Sequence, residues 1–434
     1  MSLANPDHID PLALLRATFD AAVAAADPLQ MLRLHLPTPP ARALVVGAGK
    51  AAASMAFAVE RAWPEVLLNG LVITRYAHGL PTSRIRVVEA GHPVPDAAGE
   101  SAAAEILARV STLQAGDLLL VLVSGGGSSL LSLPVPEVSM DDLKRVTRDL
   151  LASGAPIEQM NVVRKHLSQI AGGRLAAAAT ARGAAVVALI ISDVTGDLPA
   201  DIASGPCAAD PSTYADATAI LRRWNVTPPA SVAAWLGRGE RGEIEETPKP
   251  GDPRLAGVEN RIIATARGSL QAAADVFRRA GITPVILGDT VTGEAREVAK
   301  VYAALVRELR AHNAPFVRPV ALISGGECTV TLPPGTRGRG GRCSEFLLSL
   351  AIELESIPGV HALAADTDGI DGSEDNAGAW LDPETAARAA RGGTTARAAL
   401  DAHDAYGYFA AADSLIVTGP TRTNVNDYRA ILVT

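Results

Sequence analysis

The chain has 434 residues, more than a typical single hydrophobic core supports, and this length predicts two or three domains. Its net charge of −8 argues against a general nucleic-acid-binding surface, although local arginines and backbone amides can still bind anionic substrates. Cys207, Cys328 and Cys343 form no CxxC pair and have no histidine cluster beside them, so a zinc site and a disulfide framework are both disfavoured.

The N-terminus has no basic segment followed by an apolar core, so it does not resemble a secretory signal. No apolar run reaches about 18 residues without a charge or a glycine, and a membrane span is therefore not predicted. These features predict a cytoplasmic protein with three reduced thiols.

The first half of the chain alternates helical and strand patterns. A helix is predicted over residues 11–36, and a strand from residue 42 opens into the turn Gly47-Ala-Gly49-Lys50, before an alanine-rich helix. Further apolar strands are predicted at 70–74, 86–89, 118–123 and 185–192, with helices at 97–113, 140–153 and 157–180. Strands that are apolar throughout and alternate with helices indicate a parallel sheet covered on both faces.

A stretch rich in proline and charge at residues 237–255 predicts a linker between a domain of residues 1–236 and a domain of residues 256–434. The second domain is also predicted to be α/β. Its strands are expected at 261–264, 283–288, 319–324, 327–332, 360–365 and 414–417, and its helices at 269–280, 294–311, 344–355 and 383–391. A β-hairpin is predicted within residues 327–342.

The most distinctive motif follows the strand at 118–123, which runs directly into Ser124, Gly125, Gly126, Gly127, Ser128 and Ser129. Three glycines let the backbone approach a ligand closely and turn several N–H groups toward one point, which suits a phosphate. A weaker copy in the second half is Ser324-Gly325-Gly326-Glu327. Two strand-to-glycine loops, one per half, predict a ligand held between two α/β domains.

The turn at Gly47 and Gly49 is open to several interpretations. A P-loop would need glycine at position 44 and serine or threonine at position 51, where this chain has Leu44 and Ala51. A dinucleotide fingerprint is formally matched by the two glycines and Ala52, but the acidic residue expected about 20 positions later is missing. Arg75 could instead meet the extra phosphate of NADP, and strand-to-helix packing is a further explanation of the glycines. Lys50, inside the turn, would lie near any bound anion.

Acidic residues follow two of the predicted strands. Asp193 and Asp197 come after the strand at 185–192, where the ligand crevice of an open α/β sheet lies. They could hold Mg²⁺, accept a proton from a hydroxyl group, or serve only as turn residues. The second acidic loop, at Asp366, Asp368 and Asp371, does not match a calcium-binding loop, because Ile370 occupies a ligand position.

A polar segment at residues 161–168 also contains candidates for ligand binding. Arg164 and Ser168 are four residues apart on a predicted helix and could face the same ligand. His166 is predicted to be a hydrogen-bonded or surface residue rather than a catalyst.

Taken in this order, the motifs resemble the glycerate 2-kinase family whose second domain is called MOFRL. The matching segments extend over both domains, and they include VGAGKAAASMA (46–56), LVSGGGSSLL (122–131), SDVTGDLPADIASGP (192–206), GRGGRCSEFLLSLA (338–351) and AADTDGIDG (364–372). The resemblance implies a Rossmann-like parallel-sheet domain, a smaller mixed α/β domain of the MOFRL type and an active site in the interdomain cleft. It implies ATP-dependent phosphorylation of D-glycerate at the 2-hydroxyl, with Mg²⁺ as cofactor.

The resemblance also implies roles for individual residues. Lys50 matches the family's essential lysine and Arg342 the arginine that faces it from the second domain. Asp193 is then the candidate general base or metal ligand, with Asp197 as the second metal ligand. The nucleotide would be held by Gly47, Gly49, the loop from Ser124 to Ser129, and Gly325 and Glu327, the last two forming part of the opposing wall.

Two other functions remain open at the level of sequence. One is an NAD(P)-dependent hydroxypyruvate reductase, which the fingerprint at Gly47 and Arg75 motivate and which some family relatives have been called. The other is a non-catalytic anion-binding protein with the same fold. The predicted partners are a small substrate and a nucleotide, without nucleic acid or membrane, and a homodimer is compatible with the sequence.

Overall fold

The computed structural model describes residues 10–333 and 335–434, and these fold into two compact units. Pro28–Ile263 forms one of them, which we call the inserted unit because the chain enters and leaves it once. The flanking unit comprises the described residues up to Asp27 together with Ala264–Thr434.

Helices and strands are numbered in chain order. The helices are α1 Pro11–Ala24, α2 Pro28–Met31, α3 Ala52–Ala62, α4 Ala97–Val110, α5 Gly127–Leu130, α6 Met140–Ala152, α7 Ile157–His166, α8 Arg174–Thr180, α9 Tyr214–Arg223, α10 Ala230–Glu240, α11 Ala266–Arg279, α12 Ala295–His312, α13 Arg342–Leu354, α14 Thr385–Arg391, α15 Ala396–Asp401 and α16 Ala405–Ala411. The strands are β1 Arg42–Ala48, β2 Leu67–Arg75, β3 Ile85–Ala90, β4 Leu118–Val123, β5 Ala185–Ile191, β6 Glu259–Ala264, β7 Thr283–Gly288, β8 Gly293–Glu294, β9 Val320–Ser324, β10 Cys328–Thr329, β11 Val360–Asp366, β12 Gly378–Leu381, β13 Leu415–Ile416 and β14 Asp427–Val433.

The inserted unit contains a six-stranded sheet in the order β3-β2-β1-β4-β5-β6. The pairings of β1 with β2 and β4, of β2 with β3, and of β4 with β5 are all parallel. Every residue of β4 is buried, as expected for a central strand covered on both faces. The predicted parallel, Rossmann-like sheet is therefore confirmed. The strand order reverses between β1 and β4, the position where such sheets bind ligands at their carboxyl ends.

The flanking unit contains a mixed six-stranded sheet in the order β13-β12-β11-β14-β9-β7. Strand β14 lies between β11 and β9 and is antiparallel to both, whereas β7 and β9 are parallel. One face packs against α1 and α11 through Phe19, Phe277 and Tyr428, and the other packs against α12 and α13. The second domain is thus a mixed α/β structure, as predicted.

Two long predicted helices are each interrupted. The pattern over residues 11–36 gives α1 and then the short α2, and the break falls before Pro28, which disfavours a helical conformation at Asp27. The pattern over residues 157–180 gives α7 and α8. Gly172 and Gly173 between them adopt positive φ angles of 62° and 82°, which end the helical path.

The predicted hairpin at residues 327–342 is wrong. Among the described residues of this segment, only Cys328–Thr329 is a strand, and it pairs in parallel with Gly293–Glu294. Residues 335–341 contain four glycines and no large apolar side chain, so they do not form the second strand. Residue 334 lies outside the described residues. Strands β12 and β14 were not predicted.

The division into units also differs from the predicted domain boundaries. Residues 237–255 belong to the inserted unit, where the Thr247 hydroxyl donates to Asp210 Oδ2 at 3.0 Å, and β6 joins the first sheet. The first residues of the chain, where a signal sequence was looked for, lie outside the described range. Within that range, none of the helices combines the length and apolar character that crossing a bilayer requires.

Candidate active site

The turn after β1 is shaped by its contact with β4. A Cβ atom on Gly47 would lie 2.0 Å from the Leu122 carbonyl oxygen, and one on Gly49 would lie 2.1 Å from Ser124 Oγ. Gly49 also has a φ of 140°, which side chains rarely allow. Both glycines are therefore required by packing inside the unit, whatever ligand the turn meets.

The triple-glycine loop lies against this turn, as the strand order requires. The Lys50 amide donates to the Gly125 carbonyl oxygen at 2.9 Å, and the Ala51 amide donates to Ser124 Oγ at 3.0 Å. Gly126, with a φ of 82°, turns the chain into the four-residue helix α5. The structure therefore brings the Lys50 turn into contact with the start of the loop, at Ser124 and Gly125.

Several amides of the loop are left for a ligand. Gly127 donates to the Ser124 carbonyl oxygen at 3.2 Å, and Ser129 donates to that of Gly126 at 3.3 Å. Within the described residues, none of the backbone hydrogen bonds that hold the loop uses the amides of Gly125, Gly126 or Ser128. Consecutive N–H groups of this kind form a concave site for an anion.

A second tight turn supports the loop from behind. Ala203 and Ser204 both have positive φ angles, and a Cβ atom on Gly127 would lie 2.5 Å from the Ala203 Cβ. Ser128 Oγ and Ser204 Oγ are 3.0 Å apart, and Ser204 Oγ lies 3.5 Å from Asn161 Oδ1. The glycine loop is therefore fixed by a polar chain that reaches helix α7.

A cavity of about 280 Å³ opens beside the loop within the inserted unit. Its lining includes both Arg164 and Ser168, the pair that the sequence places on one helical face. Arg164 Nη1 donates to Asn161 Oδ1 at 3.3 Å, and burial lowers the pKa of its guanidinium. His166, in contrast, is fully buried and hydrogen-bonded through Nδ1 to the Val162 carbonyl oxygen at 2.8 Å, as its predicted structural role requires.

The two carboxylates after β5 differ in setting. Asp193 follows the strand closely and is half-buried, whereas Asp197 is a turn residue with a φ of 53° whose amide donates to the Val194 carbonyl oxygen at 3.2 Å. Among the described residues, no three acidic, histidine or cysteine side chains come together as a metal site. Any metal ion here would need ligands from a substrate as well.

In the flanking unit, Arg342 is the first residue of α13 and is held by three carboxylates. Its Nε donates to Asp427 Oδ1 at 2.7 Å, its Nη2 to Asp366 Oδ2 at 2.8 Å, and its Nη1 to Glu327 Oε1 at 2.5 Å. Burial would lower the pKa of Arg342, but the three negative charges outweigh burial and raise it above its ordinary value.

Strand pairing explains why these carboxylates meet. Asp366 ends β11 and lies opposite Asp427 at the start of β14, and Arg429 lies opposite Ser324 on β9. Arg429 is fully buried, pairs with Asp427 Oδ2 and donates to the Gly325 carbonyl oxygen at 3.2 Å. Asp427 and Arg429 were not predicted from the sequence. Their signal, two charges at i and i+2 in an apolar run, becomes visible only when β14 is recognised as a buried strand.

Contacts with backbone atoms hold the second glycine loop and the second acidic loop in place. The Gly325 amide donates to the Gly288 carbonyl oxygen at 2.9 Å, and a Cβ atom on Gly326 would lie 2.3 Å from Val291 backbone atoms. Asp371 accepts hydrogen bonds from the Cys343 and Ser344 amides at 2.9 and 2.8 Å and so caps α13. Burial raises the pKa of Asp371 to about 6, against the lowering effect of these bonds.

Two protein-family models match the chain. DUF4147, described as a domain of unknown function, matches residues 14–237, and the MOFRL family matches residues 320–427. A protein of Agrobacterium vitis named "Putative hydroxypyruvate reductase" is 51% identical over 97% of this chain and 94% of its own length.

Other relatives carry a different name. The glycerate 2-kinase of Pyrococcus horikoshii is 39% identical over 90% of this chain and 87% of its own length. The D-glycerate 2-kinase of Thermotoga maritima is 39% identical over 89% of both chains. A crystal structure of glycerate kinase from T. maritima matches the fold with a TM-score of 0.84 and 36% identity, over 97% of this chain and 99% of that one.

Proposed function

Because the chain belongs to the glycerate 2-kinase family with a MOFRL second domain, we propose that it transfers the γ-phosphoryl group of ATP to the 2-hydroxyl of D-glycerate, giving 2-phosphoglycerate and ADP. The observation that carries this proposal is the glycine loop in contact with the Lys50 turn. It combines amides unused by the fold with a lysine in the adjoining turn. Phosphoryl transfer depends mainly on positioning and charge neutralisation, which these groups supply.

The reaction assigns a role to each group of the inserted unit. The 2-hydroxyl oxygen attacks the γ-phosphorus, the bond from that phosphorus to the β–γ bridging oxygen breaks, and ADP leaves. Asp193 takes the hydroxyl proton as general base. The amides of Gly125, Gly126 and Ser128 bind phosphate oxygens, and Lys50 stabilises the charge on the transferring group.

Mg²⁺ fits this chain in the manner usual for nucleotide enzymes. It commonly keeps several waters and binds one or two carboxylates together with substrate phosphates, so the lack of a protein cage among the described residues is compatible with it. Asp197 would supply one carboxylate, and Asp193 would supply another only if it is a metal ligand instead of the general base. When bound, the ion would neutralise part of the negative charge on the phosphate oxygens.

Arg342 is proposed to bind the glycerate carboxylate or the transferring phosphoryl group. Its guanidinium already has three carboxylate partners, and Glu327 is the exposed one, with 56% of its side chain accessible. A substrate anion could replace Glu327 at Nη1 while Asp366 and Asp427 keep the guanidinium in place. Gly325 and Glu327 would then form part of the wall around the substrate, as the sequence predicts.

Phosphorus NMR of the product from D-glycerate and Mg-ATP tests the reaction directly, because 2-phosphoglycerate and 3-phosphoglycerate give different spectra. Lys50→Ala and Arg342→Ala should each lower kcat/KM at least a hundredfold. Lys300→Ala, an exposed lysine paired with Glu297 on α12, serves as the matched control and should leave kcat/KM unchanged. Near-normal kcat/KM in both site variants would refute the assignment.

A hydroxypyruvate reductase is the second candidate, because of the name carried by the A. vitis relative. In a dinucleotide site, the amides between the glycine turn and the first turn of the following helix bind the pyrophosphate. Here the amides of Lys50 and Ala51 are already bound to Gly125 and Ser124, which favours the kinase. Rapid oxidation of NADPH with hydroxypyruvate, without glycerate-dependent release of ADP, would reverse this preference.

A further inference from the structure

The cavity beside the glycine loop has an unusual charge for this chain. The protein carries a net charge of −8, yet the cavity lining includes Lys144, Arg148 and Arg164 and, among the described residues, no acidic side chain. Most of the remaining wall is apolar, and part of it is formed by Leu133 and Met160. A largely apolar chamber whose charged side chains are all cationic among the described residues fits a ligand that joins a flat apolar body to negative charge.

Arg164 is held at the end of the cavity that meets the loop. The hydrogen bonds from Ser128 through Ser204 to Asn161 end at its guanidinium, and Ser128 and Ser204 themselves line the cavity. Among the described residues Arg164 forms no ion pair, and desolvation is the cause of its lowered pKa. A half-buried guanidinium without a carboxylate partner is stabilised when an anion binds, because the anion supplies the missing charge.

The size and the apolar wall of the cavity favour the nucleotide over glycerate as its ligand. Its volume of about 280 Å³ is close to the lower end of ordinary ligand pockets, roughly 300 Å³. D-glycerate is a small, wholly polar molecule and would leave the apolar wall unused. A purine nucleoside has both the size and the flat apolar face for this wall.

We propose that this cavity binds the nucleoside of the phosphoryl donor, with the purine against Leu133, Leu143 and Met160 and a donor phosphate between Arg164 and the glycine loop. The inference rests on the proposed kinase function and extends it, because it assigns the nucleotide specificity to helices α6 and α7. Arg164 thereby becomes a nucleotide-binding residue that the glycine motif alone does not identify.

The test measures equilibrium binding of ADP by calorimetry, so that it does not depend on turnover. Thr147→Trp places a large side chain in the cavity from α6, whereas Arg145→Trp adds the same side chain on that helix at an exposed position outside the lining. We expect ADP to bind at least tenfold more weakly to Thr147→Trp and normally to Arg145→Trp. Inorganic tripolyphosphate, which lacks a nucleoside, should bind to both variants as it does to the wild type.

Arg164→Gln is the second variant and involves a smaller change in the cavity. It should weaken the binding of ADP and of tripolyphosphate alike, by about tenfold or more, because a charge-assisted hydrogen bond is lost. If Thr147→Trp has a lowered Tm, the binding of ADP to Arg164→Gln is the result that tests the assignment of the cavity.

The outcomes separate this inference from the proposed function. Wild-type ADP binding in Thr147→Trp at a normal Tm, or in Arg164→Gln, overturns the assignment of the cavity but leaves the kinase proposal standing. Equal loss of ADP and tripolyphosphate binding in Thr147→Trp at a normal Tm also overturns the nucleoside assignment. A wild-type protein that binds no nucleotide and releases no ADP with glycerate overturns both.

Discussion

The ion cluster around Arg342 allows a quantitative prediction about the flanking unit. The cluster contains Arg342 and Arg429 against Asp366, Asp427 and Glu327, so its formal charge is −1 and becomes −2 in Arg342→Gln. Two unit charges about 4 Å apart interact by about 4 kcal/mol at an effective dielectric constant of about 20. This agrees with the cost of about 3–5 kcal/mol for removing one partner of a buried pair.

We therefore expect Arg342→Gln and Asp427→Asn each to lower the free energy of unfolding by about 3–5 kcal/mol, because Asp427 and Arg429 are fully buried. The double variant should lose about 1–3 kcal/mol less than the sum of the single losses, since the two substitutions remove the same contact. Urea unfolding followed by circular dichroism measures all four corners of the cycle.

The control for the cycle is Lys300→Gln, which removes an exposed ion pair on α12 and should change the free energy of unfolding by less than about 0.5 kcal/mol. A double variant whose loss equals the sum of the single losses would refute the reasoning, because Arg342 and Asp427 would then not interact in solution. The cycle also separates loss of fold from loss of catalysis when Arg342 variants are assayed for activity.

Three further predictions concern stability. Asp371 has a pKa of about 6 in the folded protein against an ordinary value of 3.8, so the native state takes up a proton as the pH falls from 7.5 to 5 and gains about 1.4 kcal/mol of stability from it. The unfolding free energy of the wild type minus that of Asp371→Asn should increase by that amount in urea titrations as the pH is lowered to 5. A constant difference would contradict the raised pKa. Gly49→Ala should lower the free energy of unfolding by at least about 2 kcal/mol in the same assay, because its Cβ atom would overlap Ser124. Gly116→Ala should lower it by less, because Gly116 also has a positive φ but has open space around it. Phe277→Ala should lose about 3–5 kcal/mol through the cavity it creates, and a loss below about 1 kcal/mol would show that this core is not closely packed.

The sequence predicted those parts of the site that depend on a single buried strand. Strand β4 is apolar at every position because both of its faces are covered, so its end and the following glycine loop were located correctly. The contact of that loop with Lys50 follows from β1 and β4 being neighbours at the reversal of strand order.

The other parts depend on contacts between distant segments. Strand β14 was missed because Asp427 and Arg429 give it the charge pattern of a surface segment, and only the pairing with β9 and β11 shows that both are buried. The pattern of α1 identifies an apolar helical face but not the core that covers it, so the sequence alone does not show that α1 packs with residues of the second half of the chain. The break between α7 and α8 required the positive φ angles of Gly172 and Gly173, which the helical spacing around them concealed.

The position of α1 has a consequence for synthesis of the protein on the ribosome. Its Thr18 accepts a hydrogen bond from the Tyr428 hydroxyl at 2.8 Å, so a helix that precedes the inserted unit packs against a strand that follows it. The inserted unit is complete once residue 263 has emerged, whereas the flanking unit has to wait for β14. We expect the two units to fold in that order during translation, with the apolar face of α1 left uncovered until β14 has been made.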